Sequence, residues 1–529
     1  MGEPYYITTA ISYPNGKPHI GHAYEAIAAD VIARFHKSMG RDVRLQTGTD
    51  EHGLKMAQKA RDMGITPAQL SDEMSQSFID MCAALDINYD VFLRTTEPRH
   101  HRASQELWKR MEANGDLYLD RYEGWYSVRD EAYYDEGELV EGEGGAKLSP
   151  QGTPVEWTVE ESWFFRLSKY QDKLLALYES NPDFIRPETR RNEMIAFVSQ
   201  GLRDLSISRT SFEWGVKVPV AADAETGGPA HVMYVWVDAL TNYLTGLGWP
   251  DETDAFAKYW PANLHLIGKD IVRFHTIYWP AFLMSANLPL PQQVFGHGFL
   301  LNRGQKESKS LGNVTDPIEL AERFGVDTLR YFFLREVAFG QDGSWSAEAI
   351  VTRCNAELAN SFGNLVQRVL SMIFKNMGGT LEAFSSTGAD DALLATVRAA
   401  AAEELPREFA ALNFSAGIEA WMRAVFACNA YIDEQAPWTL RKTDPERMRA
   451  VLLTLFMAIR DLTIAIAPVV PTAAGKVLDQ IGIPGDQRGF TAFAHAGWYM
   501  ERVATGEALA QPVGAFPRLE LPAEEGAAS

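Results

Sequence analysis

The first 85 residues switch between two hydrophobic periodicities, and that switching confines the chain to one class of fold. Tyr5 to Ile11 is rich in β-branched and aromatic residues and reads as a buried strand. A turn-rich stretch follows, Ser12-Tyr13-Pro14-Asn15-Gly16-Lys17-Pro18. From His19 to Met39 the apolar residues Ile27, Val31, Ile32 and Phe35 recur at helical spacing, and Gly40 is placed to close the helix. Val43 to Gln46 reads as the next strand. Further helix patterns run from Lys55 to Met63 and from Pro67 to Leu85, the last with proline at its first turn. Strand, helix, strand, helix is the pattern of an α/β fold with a parallel sheet.

The rhythm changes after Gly115. Residues 117–168 hold many aromatics, glycines and acids and predict short strands and hairpins, with 136–145 (EGELVEGEGG) as an exposed loop. The buried-strand pattern resumes at His231 in HVMYVWVDAL and again at Leu264 to Gly268. A sheet that stops and resumes implies an inserted domain. From about residue 350 amphipathic helical runs dominate, at Ala347–Lys375, Asp391–Leu412, Phe414–Glu434 and Pro445–Ala467. The expected organisation is therefore a first sheet half at 1–114, an insertion at 115–230, a second sheet half at 231–300, a loop-bearing region at 301–350 and a helical bundle at 351–529.

Composition narrows the class. The chain carries 49 basic and 70 acidic residues, a formal charge of −21, which excludes a general basic coat for nucleic acid but not a local positive patch. Cys82, Cys354 and Cys428 are far apart and form no CxxC pair, so neither a disulfide framework nor a cysteine-built zinc site is expected. MGEPYYITTA lacks a basic n-region and an apolar h-region, and Tyr6 stands where a myristoylation signal needs serine or threonine. The apolar stretch Leu462–Val470 is too short to span a bilayer. The expectation is a cytoplasmic protein with no membrane contact.

Three motifs carry chemistry. His19-Ile20-Gly21-His22 stands where a loop feeds a helix, and a helix N-terminus suits phosphate. Two imidazoles there add donors, and the glycine lets a ligand approach the backbone. By itself the pair fits helix capping equally well. Lys306-Glu307-Ser308-Lys309-Ser310, followed by Leu311-Gly312-Asn313, is a cationic loop able to neutralise a leaving pyrophosphate. By itself it fits a solvated surface loop. Gly268-Lys269-Asp270, with His275 beyond it, sits at the carboxyl end of a strand, where α/β sheets bind ligands, and Asp270 suits ribose hydroxyls.

In this order the motifs resemble the HIGH and KMSKS signatures of class I aminoacyl-tRNA synthetases, with Glu307 in place of the usual methionine. The resemblance narrows to the methionyl-tRNA synthetase family through Thr9–Gly16, Thr47-Gly48-Thr49-Asp50-Glu51-His52-Gly53, Tyr234–Leu240 and Gly268–Trp279, and it extends to about residue 520. It implies a Rossmann-type catalytic domain with a connective insertion, followed by a helical anticodon-binding domain. It implies two reaction steps: activation of L-methionine by ATP, with Mg²⁺, and transfer to tRNA(Met).

The resemblance also implies site residues. His19, His22, Lys306 and Lys309 would be catalytic; His19, Gly21, His22, Gly268, Asp270 and Lys309 would bind ATP. Ile11, Tyr13, Trp236, Ala239, Leu240, Tyr243, Ile271, Phe274, His275 and Trp279 would form the methionine pocket, with Asp50 pairing the ammonium. Aromatic walls suit a thioether, and Tyr243 or His275 is expected to hydrogen-bond its sulfur. Asn364 and Arg368, four apart on one helix face, would read the anticodon with Pro437 and Trp438, whose ring can stack on a base. Family members often carry zinc knuckles in the insertion; Ser127 and Asp130 stand where a cysteine pair would be, so no zinc is expected. Packing of Trp125, Tyr126, Tyr133 and Tyr134 is expected to shape the insertion instead. The chain ends before the C-terminal dimer-forming domain of some members, so a monomer is expected.

Three rival readings fit less well. A class I synthetase for leucine, isoleucine or valine would need a long editing insertion, and one for cysteine a zinc ligand set; both are missing. An HxGH nucleotidyltransferase would be much shorter. A non-enzymatic RNA-binding relative would have no need of His19, His22, Asp50 and Lys309 together.

Overall fold

The computed structural model describes residues 2–130, 132–219, 230–251, 253–305, 307 and 314–521. The strands that place the site are β1 (Pro4–Thr9), β2 (Asp42–Thr49), β3 (Val91–Arg94), β4 (Leu117–Ser127), β5 (Glu156–Phe165), β6 (Ile185–Arg186), β7 (Leu264–Gly268), β8 (Val294–His297), β9 (Leu300–Asn302) and β10 (Gly343–Trp345). The main sheet has the order β3-β2-β1-β7-β8-β6, and every pairing in it is parallel. Ile7 pairs with Leu45 on one side and Leu264 on the other, so β1 lies at the centre. Its residues Tyr6 and Ile7 are fully buried, as a strand covered on both faces requires.

Helix α1 (Ile20–Ser38) crosses from β1 to β2. It is apolar on nearly every face because it lies between the sheet and the C-terminal helices: Ile27, Val31 and Ile32 are all buried, each worth about 1.5–3 kcal/mol in burial. At its centre Asp30 accepts from Arg330 at 2.5 Å, and Arg330 Nε donates to the carbonyl of Val469. A buried arginine thus ties α1 to the C-terminal bundle. Removing either charge would strand its partner in the core.

Two expectations need correction. HVMYVWVDAL is not a strand: only Val232–Met233 is extended, pairing with Ser208–Arg209, and helix α2 (Val235–Thr245) follows. A continuous apolar run fits a fully buried helix as well as a buried strand, and periodicity cannot separate them. In 117–168 the expected short strands are present at Ala132–Tyr134, Val140–Glu141 and Lys147–Leu148, the last two paired antiparallel, but they do not dominate. β4 and β5 form one long antiparallel ribbon, in register from Leu117↔Phe165 to Tyr126↔Glu156. Within 115–230 the two-residue strand β6 joins the edge of the main sheet. It is too short to leave a periodic signal.

The C-terminal helices run close to the expected spans: Phe414–Gln435 and Pro445–Ile466 are single helices. Ala347–Met377 is continuous but widens to π geometry over Asn355–Gly363, just before Asn364.

Candidate active site

The chain leaves β1 toward β2 on one side, while β7 connects toward β8 on the other. Such a reversal leaves a crevice at the carboxyl ends of the two central strands. A cleft of about 450 Å³ opens there. Its walls come from the segments after β1 (Ala10–Tyr13), after β2 (Asp50), after β7 (Gly268, Asp270, Ile271) and after β8 (His297–Phe299), with the start of α1 between them.

His19 caps α1 with extended backbone, and its Nδ1 accepts the main-chain N–H of Gly21 at 3.0 Å. His22 answers: its Nδ1 accepts the main-chain N–H of His19 at 3.1 Å. The two histidines thus form a capping box and line the cleft at once. Because both Nδ1 atoms are acceptors, the hydrogen-bond network assigns the proton of each neutral ring to Nε2. The rings lie 3.9 Å apart, and His22 packs edge-on against Phe78. Gly21 is required by the first ring: a Cβ there would meet His19 Cε1 at 2.9 Å.

At the far wall a Cβ on Gly268 would meet the Asp270 carboxylate at 2.7 Å, so the glycine makes room for the acid. Lys269 is turned away from the cleft, paired with Asp342 at 2.7 Å. Beside Asp270, Glu25 and His297 form a buried pair at 2.8 Å. Burial raises the Glu25 carboxyl, while for His297 burial pulls down but the hydrogen bond and charge of Glu25, with the Gly298 carbonyl and the charge of Asp270, together outweigh it, leaving the imidazole raised.

Aromatic side chains also line the cleft. Trp236 stacks on Phe274 at 3.8 Å and 5°. Ile11, Tyr13, Asp50, Trp236, Ile271 and Phe274 line the cavity, and Lys55 lies over the Tyr13 ring at 5.1 Å. Ala239, Leu240, Tyr243, His275 and Trp279 are buried behind this wall, outside the cavity lining. His275 Nδ1 lies 3.0 Å from the Ile271 carbonyl and must donate to it, so Nε2 accepts from the Tyr243 hydroxyl at 2.7 Å. Both donors are committed. The expected hydrogen bond from either group to a thioether sulfur is therefore not available in this arrangement. Burial also holds the His275 pKa down at about 4, so the ring stays neutral. Trp279 donates to His265 at 3.3 Å and is likewise part of the support.

In Thr49-Asp50-Glu51-His52 only Asp50 reaches the cleft. Glu51 turns inward to Arg94 at 2.6 Å. His52 Nδ1 meets Asp238 Oδ2 at 2.6 Å, and Asp238 Oδ1 meets His100 Nε2 at 2.7 Å. Asp238 lies on α2, two residues after Trp236, so this buried triad fixes the helix that presents the aromatic wall. Burial would raise the Asp238 carboxyl, but His52 and His100 hold it well below the usual carboxylate range.

Of the aromatics expected to shape the insertion, Tyr126 packs against Tyr133, while Trp125 packs against Trp157, which the sequence reading did not name. A polar clasp accompanies them. Asp130 Oδ2 accepts from Ser149 and Thr153, both at 2.6 Å, and from Tyr134 at 3.1 Å, while Ser127 pairs with Thr153. The clasp sets Arg129, Asp130 and Gln151 against the cleft. Among the described residues no group of three or more His, Cys, Asp or Glu side chains gathers as a metal site.

Lys306 and Lys309 lie outside the described residues. In the bundle, Asn364 and Trp438 are exposed, and Arg368 lies 5.4 Å from the Trp438 ring while pairing with Asp433 at 2.9 Å. Pro437 is buried at the first turn of its helix. It aims Trp438 and does not itself face solvent.

Sequence reasoning missed Glu25, Lys55, Arg129 and His297 in the cleft wall. Glu25 had a signal: three residues after His22, it shares that face of α1. Arg129 and His297 had none, since only the folding of distant segments brings them there.

Comparison with known proteins agrees with this geometry. A family model described as tRNA synthetases class I (M) matches residues 5–146 and 146–370. A second, the anticodon binding domain of methionyl tRNA ligase, matches 382–525. A methionine–tRNA ligase of Rhizobium meliloti is 54% identical over 98% of this chain and 99% of its own length. One of Brucella suis is 56% identical, covering 98% of each. A solved Mycobacterium tuberculosis methionyl-tRNA synthetase in complex with methionyl-adenylate superposes with a TM-score of 0.91 at 54% identity, over 98% of this chain and 100% of that one. The chain therefore belongs to the class I methionyl-tRNA synthetase family.

Proposed function

We propose that the cleft activates L-methionine with ATP and then passes it to tRNA(Met), the chain being a ligase that forms aminoacyl-tRNA. In the first step a methionine carboxylate oxygen attacks the α-phosphorus of ATP, and the bond to the β-phosphate oxygen breaks to release pyrophosphate. In the second a hydroxyl of the terminal adenosine of tRNA attacks the carbonyl carbon of the methionyl-adenylate, and AMP leaves with the bridging oxygen. No covalent bond to a side chain is needed, so catalysis is positioning plus charge stabilisation.

The observation that carries this reading is one cleft lined together by the His19–His22 capping box, a ribose-suited acid, Asp270, and the aromatic wall of Trp236 and Phe274. His19 and His22 present Nε2–H donors to the phosphates, with Gly21 keeping them in place. Asp50 pairs the ammonium. Ile11, Tyr13 and Ile271 complete the wall, which Ala239, Leu240, Tyr243, His275 and Trp279 support from behind. Mg²⁺, if it accompanied ATP, would supply positive charge to the phosphates; among the described residues no group of three or more His, Cys, Asp or Glu side chains gathers to hold a metal. Lys306 and Lys309 meet the pyrophosphate. Asn364, Arg368 and Trp438 read the anticodon, with Pro437 aiming the indole. We read the protein as a zinc-free monomer working in the cytoplasm; no described helix is long and apolar enough to cross a membrane.

The deciding experiment is ATP–pyrophosphate exchange with methionine, leucine, isoleucine, valine and cysteine in parallel. Exchange with methionine alone is expected. Exchange with another amino acid would move the specificity and void the pocket assignments. Metal analysis of the purified protein is expected to find zinc far below one atom per chain, because the Asp130 clasp already closes the knuckle; stoichiometric zinc would refute this.

A further inference from the structure

The second signature departs from its usual form at Glu307, and the structure gives that carboxylate specific partners. Glu307 Oε1 accepts from the Thr315 hydroxyl at 2.7 Å and from the Asn302 amide at 3.2 Å. Its Oε2 accepts the main-chain N–H of Thr315 at 3.0 Å. Asn302 ends β9 and opens a tight turn, in which Asn302 and Gln305 exchange main-chain hydrogen bonds. Arg303 and Gly304 take positive φ in that turn, at 48° and 80°. Thr315 immediately precedes Asp316, which caps helix Pro317–Phe324 by accepting from Ile318. One side chain therefore joins the turn after β9 to the start of a helix, across the stretch that carries Lys309 in sequence. Glu307 also lines the cleft.

The chemistry is specific to a carboxylate. It accepts three hydrogen bonds through two oxygens, and such charge-assisted bonds are the stronger kind. The methionine usual at this position has only a weak thioether acceptor and could not hold Thr315 and Asn302 together. Closing a loop at its two ends removes conformations that the open chain would sample.

We propose that Glu307 is a positioning residue for the activation step: a carboxylate brace that fixes both ends of the Lys309-bearing loop through Asn302 and Thr315. The inference rests on the activity proposed above, and it relies on no position of Lys306 or Lys309.

The test uses the full-length protein and steady-state ATP–pyrophosphate exchange for wild type, Glu307→Ala, Glu307→Met, Thr315→Val and the Glu307→Ala/Thr315→Val double variant. Thr315→Val is expected to lower kcat by about tenfold, the size of one charge-assisted hydrogen bond, and Glu307→Ala, which removes all three, by at least as much, with the KM for methionine unchanged in both. The double variant should be no slower than Glu307→Ala alone, since both remove one brace. Glu307→Met should match Glu307→Ala. Multiplying effects in the double variant would overturn the brace, as would wild-type kcat in Glu307→Met. A rise in the KM for methionine would point to a pocket role and overturn it as well. A wild type that exchanges normally beside unaffected variants would refute the brace alone. A wild type that fails to exchange with methionine would refute both readings.

Discussion

Lys309→Ala is expected to lower methionine-dependent ATP–pyrophosphate exchange by about 10²–10³-fold, the effect of removing one group that stabilises charge in a transition state. As the bond to the leaving pyrophosphate breaks, negative charge builds on an oxygen that water in a partly closed cleft solvates poorly. A lysine ammonium supplies a compact positive charge there. Other cations of the cleft region are differently placed. Lys269 is paired with Asp342, and Lys55 sits over the Tyr13 ring. Arg129 lines the cleft from the insertion and is the rival for the role among the described residues. Pre-steady-state adenylate formation separates them: Lys309→Ala should slow the chemical step, and Arg129→Ala should leave it within a few-fold. Near-normal adenylate formation in Lys309→Ala would end the assignment.

Asp238→Asn is expected to cost about 3–5 kcal/mol of stability at pH 7, the size of two buried hydrogen bonds to a charged group. Asp238 is fully buried between His52 and His100, which together outweigh the desolvation of its carboxylate. An amide in its place removes the charge that both imidazoles face. The sign of the pH dependence follows from the depressed carboxyl. In the folded protein it stays ionised well below the unfolded value near 3.9. Its contribution is therefore complete above about pH 4 and declines progressively as the pH falls further. Urea unfolding at pH 7 and at pH 3.5 should show the variant closing part of its gap to wild type at the lower pH. A gap unchanged between the two would show that the carboxylate charge is not what stabilises the triad. Because α2 carries both Asp238 and Trp236, the variant's KM for methionine should rise as well.

Much of the architecture was legible in the residues. The strand–turn–helix–strand start, the glycine after α1 and the long apolar stripes of the last helices are local patterns, and local patterns survive being read one segment at a time. The errors have two causes. Val235–Thr245 is buried along nearly its whole length, polar Asp238, Thr241, Asn242 and Thr245 included, and burial of that kind erases the period that distinguishes helix from strand. β6 is two residues long and acquires its meaning only by lying beside β8.

The site divides along the same line. Sequence alone determined the chemistry on offer: a histidine pair at a helix start, an acid after a strand, an aromatic set and a cationic loop. Tertiary structure decided what each group does. It fixed the histidine tautomers through main-chain N–H groups and turned Glu51 and His52 into anchors while leaving Asp50 in the cleft. It also committed the donors of Tyr243 and His275 to each other and to Ile271, and gave Glu307 partners on both sides of its loop. A hydrogen bond has one direction and few acceptors, so a side chain's role is set by which groups reach it first. For Glu51, His52 and Tyr243 those groups lie on segments far along the chain; for His19, His22 and Glu307 they are near in sequence, and only the folded backbone aims them.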